Sequence, residues 1–225
     1  MADHSLEYVG HSTFIWNAHD KVFLFDPYFG DIRFRGKPRV VPASEKPNWI
    51  DKVNIIFVSH EHETHCEKPS IEEIVNRTGA MVVAPKPALS SINIDAAKKV
   101  DVRVGDDFNL EGVHVRVVKA VHPQSEYPVG YIVSYAGISV YYAGDTYAFH
   151  EMHQITADYS LIPIGGMFTM DVLGASTACR MLRTKYVVPM HYNTHEIIRQ
   201  DASDLNTGRA KLLVMKPGER IEMRQ

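Results

Sequence analysis

The sequence predicts an α+β fold in which two β-sheets pack face to face with helices outside. Three observations carry this. Strand-like segments dominate both halves of the chain, helical segments fall between the later strands, and no Gly/Ser-rich linker, repeat or low-complexity stretch interrupts the 225 residues. One domain spanning 1–225 is therefore expected, long enough for a sizeable core.

The first elements read as strands at Leu6 to Val9, Thr13 to Trp16 and Val22 to Phe25, with Gly10 and Asn17 to Asp20 as punctuation. The apolar run Ile55-Ile56-Phe57-Val58 reads as a buried strand. Pro69 suits the start of a helix running toward Arg77, Gly79 ends it, and Met81-Val82-Val83 follows as a strand, which makes a β-α-β unit. In the middle, Val113, Val115 and Val117 alternate with His114 and Arg116, the period of a half-buried strand. Ala136-Gly137 separates two apolar runs, Tyr131 to Tyr135 and Ile138 to Ala143, as a hairpin turn would. The C-terminal third alternates a helix near Phe149 to Ile155, a strand at Ser160 to Ile164, a helix near Asp171 to Leu182, a strand at Tyr186 to Met190, a helix near Glu196 to Gln200 and a strand at Leu212 to Met215.

Composition narrows the function classes. Hydrophobic residues make up 45% and charged residues 23%, ordinary for a globular protein, and the formal net charge of -3 argues against a broad nucleic-acid footprint. Two cysteines, Cys66 and Cys179, are too few for a disulfide framework and suggest a reducing compartment. The N-terminus lacks the basic and apolar regions of a signal peptide, and no apolar run approaches the ~20 residues that cross a bilayer. A cytoplasmic protein with no membrane partner is expected.

The chemistry concentrates in Ser59-His60-Glu61-His62-Glu63-Thr64-His65. Three histidines leave one strand end together, and neutral imidazole is a favoured ligand for zinc and similar ions. Three further ligand-type residues follow apolar strands: His122 after Val113 to Val121, Asp145 after Ile138 to Ala143, and His191 after Tyr186 to Met190. In a layered fold, strand ends on one edge lie close, so these residues can converge on metal.

Taken in order, Asp26, the His60-to-His65 motif, His122, Asp145 and His191 resemble the pattern of the metallo-β-lactamase superfamily. Gly10-His11-Ser12-Thr13, Phe25-Asp26-Pro27, Gly144-Asp145-Thr146, Pro163-Ile164-Gly165-Gly166 with Phe168-Thr169-Met170, and Pro189-Met190-His191-Tyr192-Asn193-Thr194 look most like its small metal-dependent hydrolases related to L-ascorbate-6-phosphate lactonase. The resemblance implies a four-layer αββα sandwich with a site at one edge. It assigns His60, His62 and His122 to one metal, His65 and His191 to a second, Asp145 to both, and Asp26 to a supporting position behind the histidine loop. It also places His11 near the site, as a substrate-binding group or proton donor; a histidine bonded within the core is the alternative. Relatives often assemble, so a homo-oligomer is expected.

One position departs from the pattern. The motif H-x-H-x-D-H has aspartate where this chain has Thr64, whose hydroxyl is a far poorer ligand. One tightly bound ion is therefore expected over two, zinc first and manganese as the alternative. Thr64 could hydrogen-bond the attacking water but not act as its base. Glu61, Glu63 and His195 are the residues weighed as replacements. The implied reaction is hydrolysis of a small ester, lactone or phosphoester, anionic substrates included, because a bound ion lowers the pKa of its water from 15.7 toward ~7. Rival readings are a nuclease or phosphodiesterase, and a metal-binding protein that has lost catalysis through Thr64. For substrate contact the sequence offers Met167, Phe168, Tyr192 and His195, together with Arg33, Arg35, Lys37 and Arg39, which share one face if that segment is extended, although a solvated basic loop is the simpler reading. Cys66 reads as a small buried packing residue rather than a ligand.

Overall fold

The computed structural model describes residues 4–33 and 36–225. The first half builds a seven-stranded sheet from β1 (His4–Gly10), β2 (Thr13–Ala18), β3 (Lys21–Phe25), β4 (Ile55–Phe57), β5 (Met81–Ala84) and β6 (Lys99–Asp101), with helix α1 (Lys68–Thr78) between β4 and β5 and α2 (Lys86–Ser91) between β5 and β6. The second sheet comprises β7 (Asp107–Leu110), β8 (Val113–Lys119), β9 (Val129–Tyr135), β10 (Ile138–Tyr142), β11 (Thr156–Pro163), β12 (Arg183–Met190) and β13 (Lys211–Leu212), with α3 (Val172–Met181) between β11 and β12. The last strand, β14 (Arg220–Glu222), returns to the first sheet and pairs with β1. The sheet orders are β14-β1-β2-β3-β4-β5-β6 and β13-β12-β11-β10-β9-β8-β7.

Each sheet is antiparallel at one side and parallel at the other. β1, β2 and β3 form a meander, then β3 to β6 run parallel; β7 to β10 form a meander, then β10 to β13 run parallel. The central parallel strand β4 is buried on both faces, which is why Ile55-Ile56-Phe57 reads as an unbroken apolar run. The alternation within β8 survives as buried Val113, Val115 and Val117 between less buried neighbours. The Ala136-Gly137 turn has φ of 46° and 84°, the doubly left-handed geometry of a tight hairpin.

Side-chain alternation builds the layers. Phe14, Trp16, Phe23, Phe25 and Phe57 join the cluster that contains Tyr131, Val133 and Tyr142 of the second sheet. Phe25 stacks on Tyr142 with ring centroids 4.9 Å apart, and Phe57 meets Tyr131 at 5.3 Å. Ile15, Leu24, Ile56 and Val82 face the other way, against Ile71, Ile74 and Val75 of α1 and Ala88 and Leu89 of α2. Helix α3 buries Ala175, Ala178 and Cys179 with second-sheet residues. The result is the expected αββα sandwich. Among the described residues no helix is long and apolar enough to cross a membrane.

Local differences from the sequence expectation have local causes. The segment at 149–155 is a 3-10 helix, His150–Gln154, confined by the start of β11 at Thr156. The segment near 196 is a single 3-10 turn, Glu196–Ile198, because Asn193 closes the loop by pairing its side chain with both the N–H and the carbonyl of Gln200. Cys66 packs under α1 and α2, and burial pushes its thiol up to about 12, in keeping with a packing residue.

Candidate metal centre

Topology gathers the ligand-type residues. β1 and β3 point the same way and are followed by His11 and Asp26; the parallel β4 is followed by Ser59 and His60. In the facing sheet, β8, β10 and β12 also share one direction and lead to His122, Asp145 and His191. Hydrogen bonds tie these strand ends to one another, so seven such residues meet at one edge of the sandwich.

Three imidazoles form the first group. His60 Nε2 lies 3.0 Å from His62 Nδ1, which lies 3.2 Å from His122 Nε2. The remaining ring nitrogen of each finds a fixed partner. His62 Nε2 donates to the Gln124 carbonyl at 3.1 Å, and His122 Nδ1 donates to the Phe168 carbonyl at 3.1 Å. His60 Nδ1 donates to Ser59 Oγ at 2.9 Å, whose own proton goes to Asp26 Oδ2 at 2.5 Å. With those protons committed, the three converging nitrogens present lone pairs to one another. Such an arrangement is repulsive unless a cation sits among them. Ligand nitrogens at ~2.0–2.1 Å from a tetrahedral zinc stand ~3.3 Å apart, close to the spacings here. Burial, with positive neighbours adding to it, holds His60 and His122 below the usual imidazole range, so both are neutral and able to ligate.

Asp145 sits between this group and a second one. Its Oδ2 lies 3.2 Å from His65 Nε2, 3.3 Å from His191 Nε2, 3.9 Å from His122 Nε2 and 4.0 Å from His60 Nε2, while its buried Oδ1 has no hydrogen-bond partner. Burial alone would raise this carboxyl, but the imidazoles of His191 and His65 hold it well below the usual carboxylate range. Burial works against a charge on His65 as well, yet Asp145 and Asp26 outweigh it and lift the ring to about 10. The chain approach is close: a Cβ on Gly144, whose φ is 59°, would lie 2.6 Å from Ser59 Cβ.

Asp26 is fully buried and accepts four hydrogen bonds: from Ser59 N at 2.6 Å, Ser59 Oγ at 2.5 Å, His65 Nδ1 at 2.7 Å and Tyr142 Oη at 2.7 Å. It stands behind His60 and His65 and orients both rings. Left-handed backbone concentrates here, with φ of 58° at His11, 40° at Asp26 and 57° at His191, conformations that non-glycine residues adopt at a cost.

A cavity of about 390 Å³ opens beside the site, lined by residues that include Arg33, His62, Thr64, His122, Asp145 and Phe168. Arg33, Thr64 and Phe168 thus line this cavity. The other substrate-contact residues do not. Tyr192, which follows the left-handed His191, is buried in the core cluster and lines a separate hollow with Asn193 and Arg199. Met167 is half-buried and outside the lining, and the backbone carbonyl of Phe168 is committed to His122. His195 Nδ1 donates to the Pro38 carbonyl at 3.1 Å, its Nε2 lies 3.4 Å from Tyr28 Oη, and the ring stacks on Tyr28, away from the cavity. Arg39 does not join a basic face: it folds inward over the Tyr28 ring and donates to the carbonyls of Val41, Tyr28 and Gly30. Lys37 is exposed, and Arg35 lies outside the described residues.

The replacements weighed for the missing aspartate are also placed. Glu61 turns away to accept from Ser125 Oγ and Glu126 N, which anchors the loop after His122, and Glu63 is exposed at the cavity rim. Sequence reasoning passes over Tyr142 and Thr194, which reach Asp26 and His11, and over Glu67, which caps the loop at Phe29 and Gly30. Nothing in their local sequence signals those contacts.

A mixed αββα sandwich with an imidazole–carboxylate cluster on one edge defines the metallo-β-lactamase class. The family model described as the beta-lactamase superfamily domain matches residues 5–191, and the chain belongs to that family. Within it, the chain is similar to a UPF0173 metal-dependent hydrolase of Pyrococcus furiosus, 34% identical over 96% of this chain and 98% of that one. It is similar to a second UPF0173 metal-dependent hydrolase, from Thermofilum pendens, at 32% identity over 96% and 98%. Among solved structures, Igni18, a metallo hydrolase from Ignicoccus hospitalis, superposes with a TM-score of 0.84 at 29% identity and covers 99% of both chains.

Proposed function

We propose that the chain is a metal-dependent hydrolase acting on a small, anionic ester, lactone or phosphoester. The observation that supports this most is the convergence of three imidazole nitrogens, from His60, His62 and His122, beside Asp145, whose carboxyl is held well below the usual carboxylate range. Those four residues would hold a divalent ion, zinc first because three of the four donors are imidazole, with manganese as the alternative. When bound, the ion supplies a water of lowered pKa and polarises the scissile group. Asp145 Oδ1, buried and without a hydrogen-bond partner, would be the oxygen available to such a water, and Asp26 keeps His60 and His65 in register. Thr64 lines the cavity and offers a hydroxyl to substrate or water.

The cavity suits a small molecule, and among the described residues Arg33 is a cation that lines it. The narrower likeness to L-ascorbate-6-phosphate lactonase relatives favours lactones and sugar phosphates among the substrates. The inward fold of Arg39 removes a charge that a nucleic-acid groove would use, which supports the small-molecule reading over a nuclease. A homo-oligomer and a cytoplasmic location complete the proposal.

The test is turnover of a panel of p-nitrophenyl esters, lactones and bis-p-nitrophenyl phosphate by protein stripped with chelator and then reloaded with zinc or manganese. Metal-restored hydrolysis of at least one class is expected. No turnover of any class by metal-loaded protein would favour a metal-binding protein without catalysis.

A further inference from the structure

We propose that His11 is a ligand of a second metal ion, together with His65, His191 and Asp145, and so supplies the donor that Thr64 cannot. The inference rests on reading the neighbouring group as a metal centre, and it revises the expectation of a single ion.

Four observations place His11 in this role. Its ring is fully buried, and among the described residues its ligand nitrogen groups with those of His65 and His191, all within 4.8 Å of one another. The His11 and His191 ring centroids are 4.2 Å apart, and His11 to His65 is 5.7 Å. His11 Nε2 has no hydrogen-bond partner, while Nδ1 lies 2.6 Å from Thr194 Oγ1. With Nδ1–H donated to that hydroxyl, Nε2 presents its lone pair to the cluster. The backbone enforces the juxtaposition: His191 N donates to the His11 carbonyl at 2.7 Å, and both residues are left-handed. A buried imidazole nitrogen left bare beside two other imidazoles and a carboxylate is the environment of a ligand rather than of a core histidine.

The competing donors are engaged elsewhere. Glu61 is bonded to Ser125 and Glu126, and His195 to Pro38 and Tyr28. Replacing a carboxylate by an imidazole leaves Asp145 as the one anionic donor shared by two sites. The second ion therefore binds more weakly than the first, but it binds.

Equilibrium dialysis against zinc, with metal-to-protein ratio read by elemental analysis, decides the matter. Wild type is expected to hold two ions and His11→Ala one, the second ion's affinity falling by more than about 100-fold, the upper end of what losing an outer-sphere partner costs. Adding Thr64→Asp to His11→Ala is expected to restore the second ion. Two ions in both wild type and His11→Ala, one ion in both, or no restoration by Thr64→Asp would overturn the role of His11. No ion in wild type would instead overturn the reading of the whole centre. Should His11→Ala fail to fold, imidazole ¹⁵N spectra of the wild type answer the same question: the second equivalent of zinc shifts His11 Nε2, and an unmoved resonance refutes the proposal.

Discussion

Replacing Asp26 by Asn tests the support of the centre without touching a residue that faces the cavity. The carboxylate accepts four hydrogen bonds at full burial, three of them on Oδ2 from Ser59 Oγ, His65 Nδ1 and Tyr142 Oη, and one on Oδ1 from Ser59 N. The amide keeps one oxygen. Placed at the Oδ2 position, it leaves its NH₂ group against the Ser59 N–H, a donor facing a donor that costs about 1–3 kcal/mol. The three remaining bonds pass from a charged to a neutral acceptor and lose about 1 kcal/mol each. The opposite amide orientation sets three donors against one and is worse. Asp26→Asn should therefore destabilise the metal-free protein by about 4–6 kcal/mol, which for a chain of this size lowers the melting temperature by about 8 °C or more. Urea denaturation with chelator present measures the first quantity. Competition with a chromophoric chelator should show zinc affinity reduced about 10–100-fold, since the rings of His60 and His65 lose their common anchor. A stability loss below about 1 kcal/mol with unchanged zinc affinity would refute this account of Asp26.

Three other outcomes are expected. Gly144→Ala places a Cβ 2.6 Å from Ser59 Cβ at a φ of 59°, so it should cost about 1–3 kcal/mol in thermal denaturation and lower metal content by pushing Asp145 from the histidine loop; wild-type metal content would contradict this. His60 and His122 have imidazole pKa values lowered chiefly by burial, so at these two ligands of the first ion protons compete with metal only below the ordinary 6.5; release of the tighter zinc followed against pH should have its midpoint below 6.5, and in the metal-free protein these two residues subtract stability as pH falls through 6.5, because the unfolded chain takes up the protons first. Cys66 and Cys179 are buried and their thiols are pushed up to about 12, so a disulfide reagent should label neither in native protein and both after unfolding.

Much of the fold is visible in the sequence because strands carry period-two or unbroken apolar patterns. β8 and the β9–β10 hairpin show this, as do the apolar runs that end at His60, Asp145 and His191. The short α2 carries no such pattern, and β7 and β14 alternate over only four and three residues at sheet edges, too few for the pattern to stand out. The residues of the centre are legible for a similar reason, since each ligand-type residue follows a strand that announces itself. What surrounds them is not. Tyr142 reaches Asp26 across 116 positions, and Thr194 reaches His11 across 183, so no local window contains either bond. Arg39 illustrates the converse. Its alternation with Arg33 and Lys37 suggests a charged face, but three backbone carbonyls and the Tyr28 ring draw it inward, a choice made by tertiary contacts.

The central claim is that buried lone pairs at this edge exist to hold metal. Anomalous diffraction at the zinc edge, from crystals grown with zinc, tests it most directly. The account predicts a strong peak among His60 Nε2, His62 Nδ1 and His122 Nε2, near Asp145 Oδ2. Well-ordered crystals in which those three nitrogens enclose no anomalous density would contradict it.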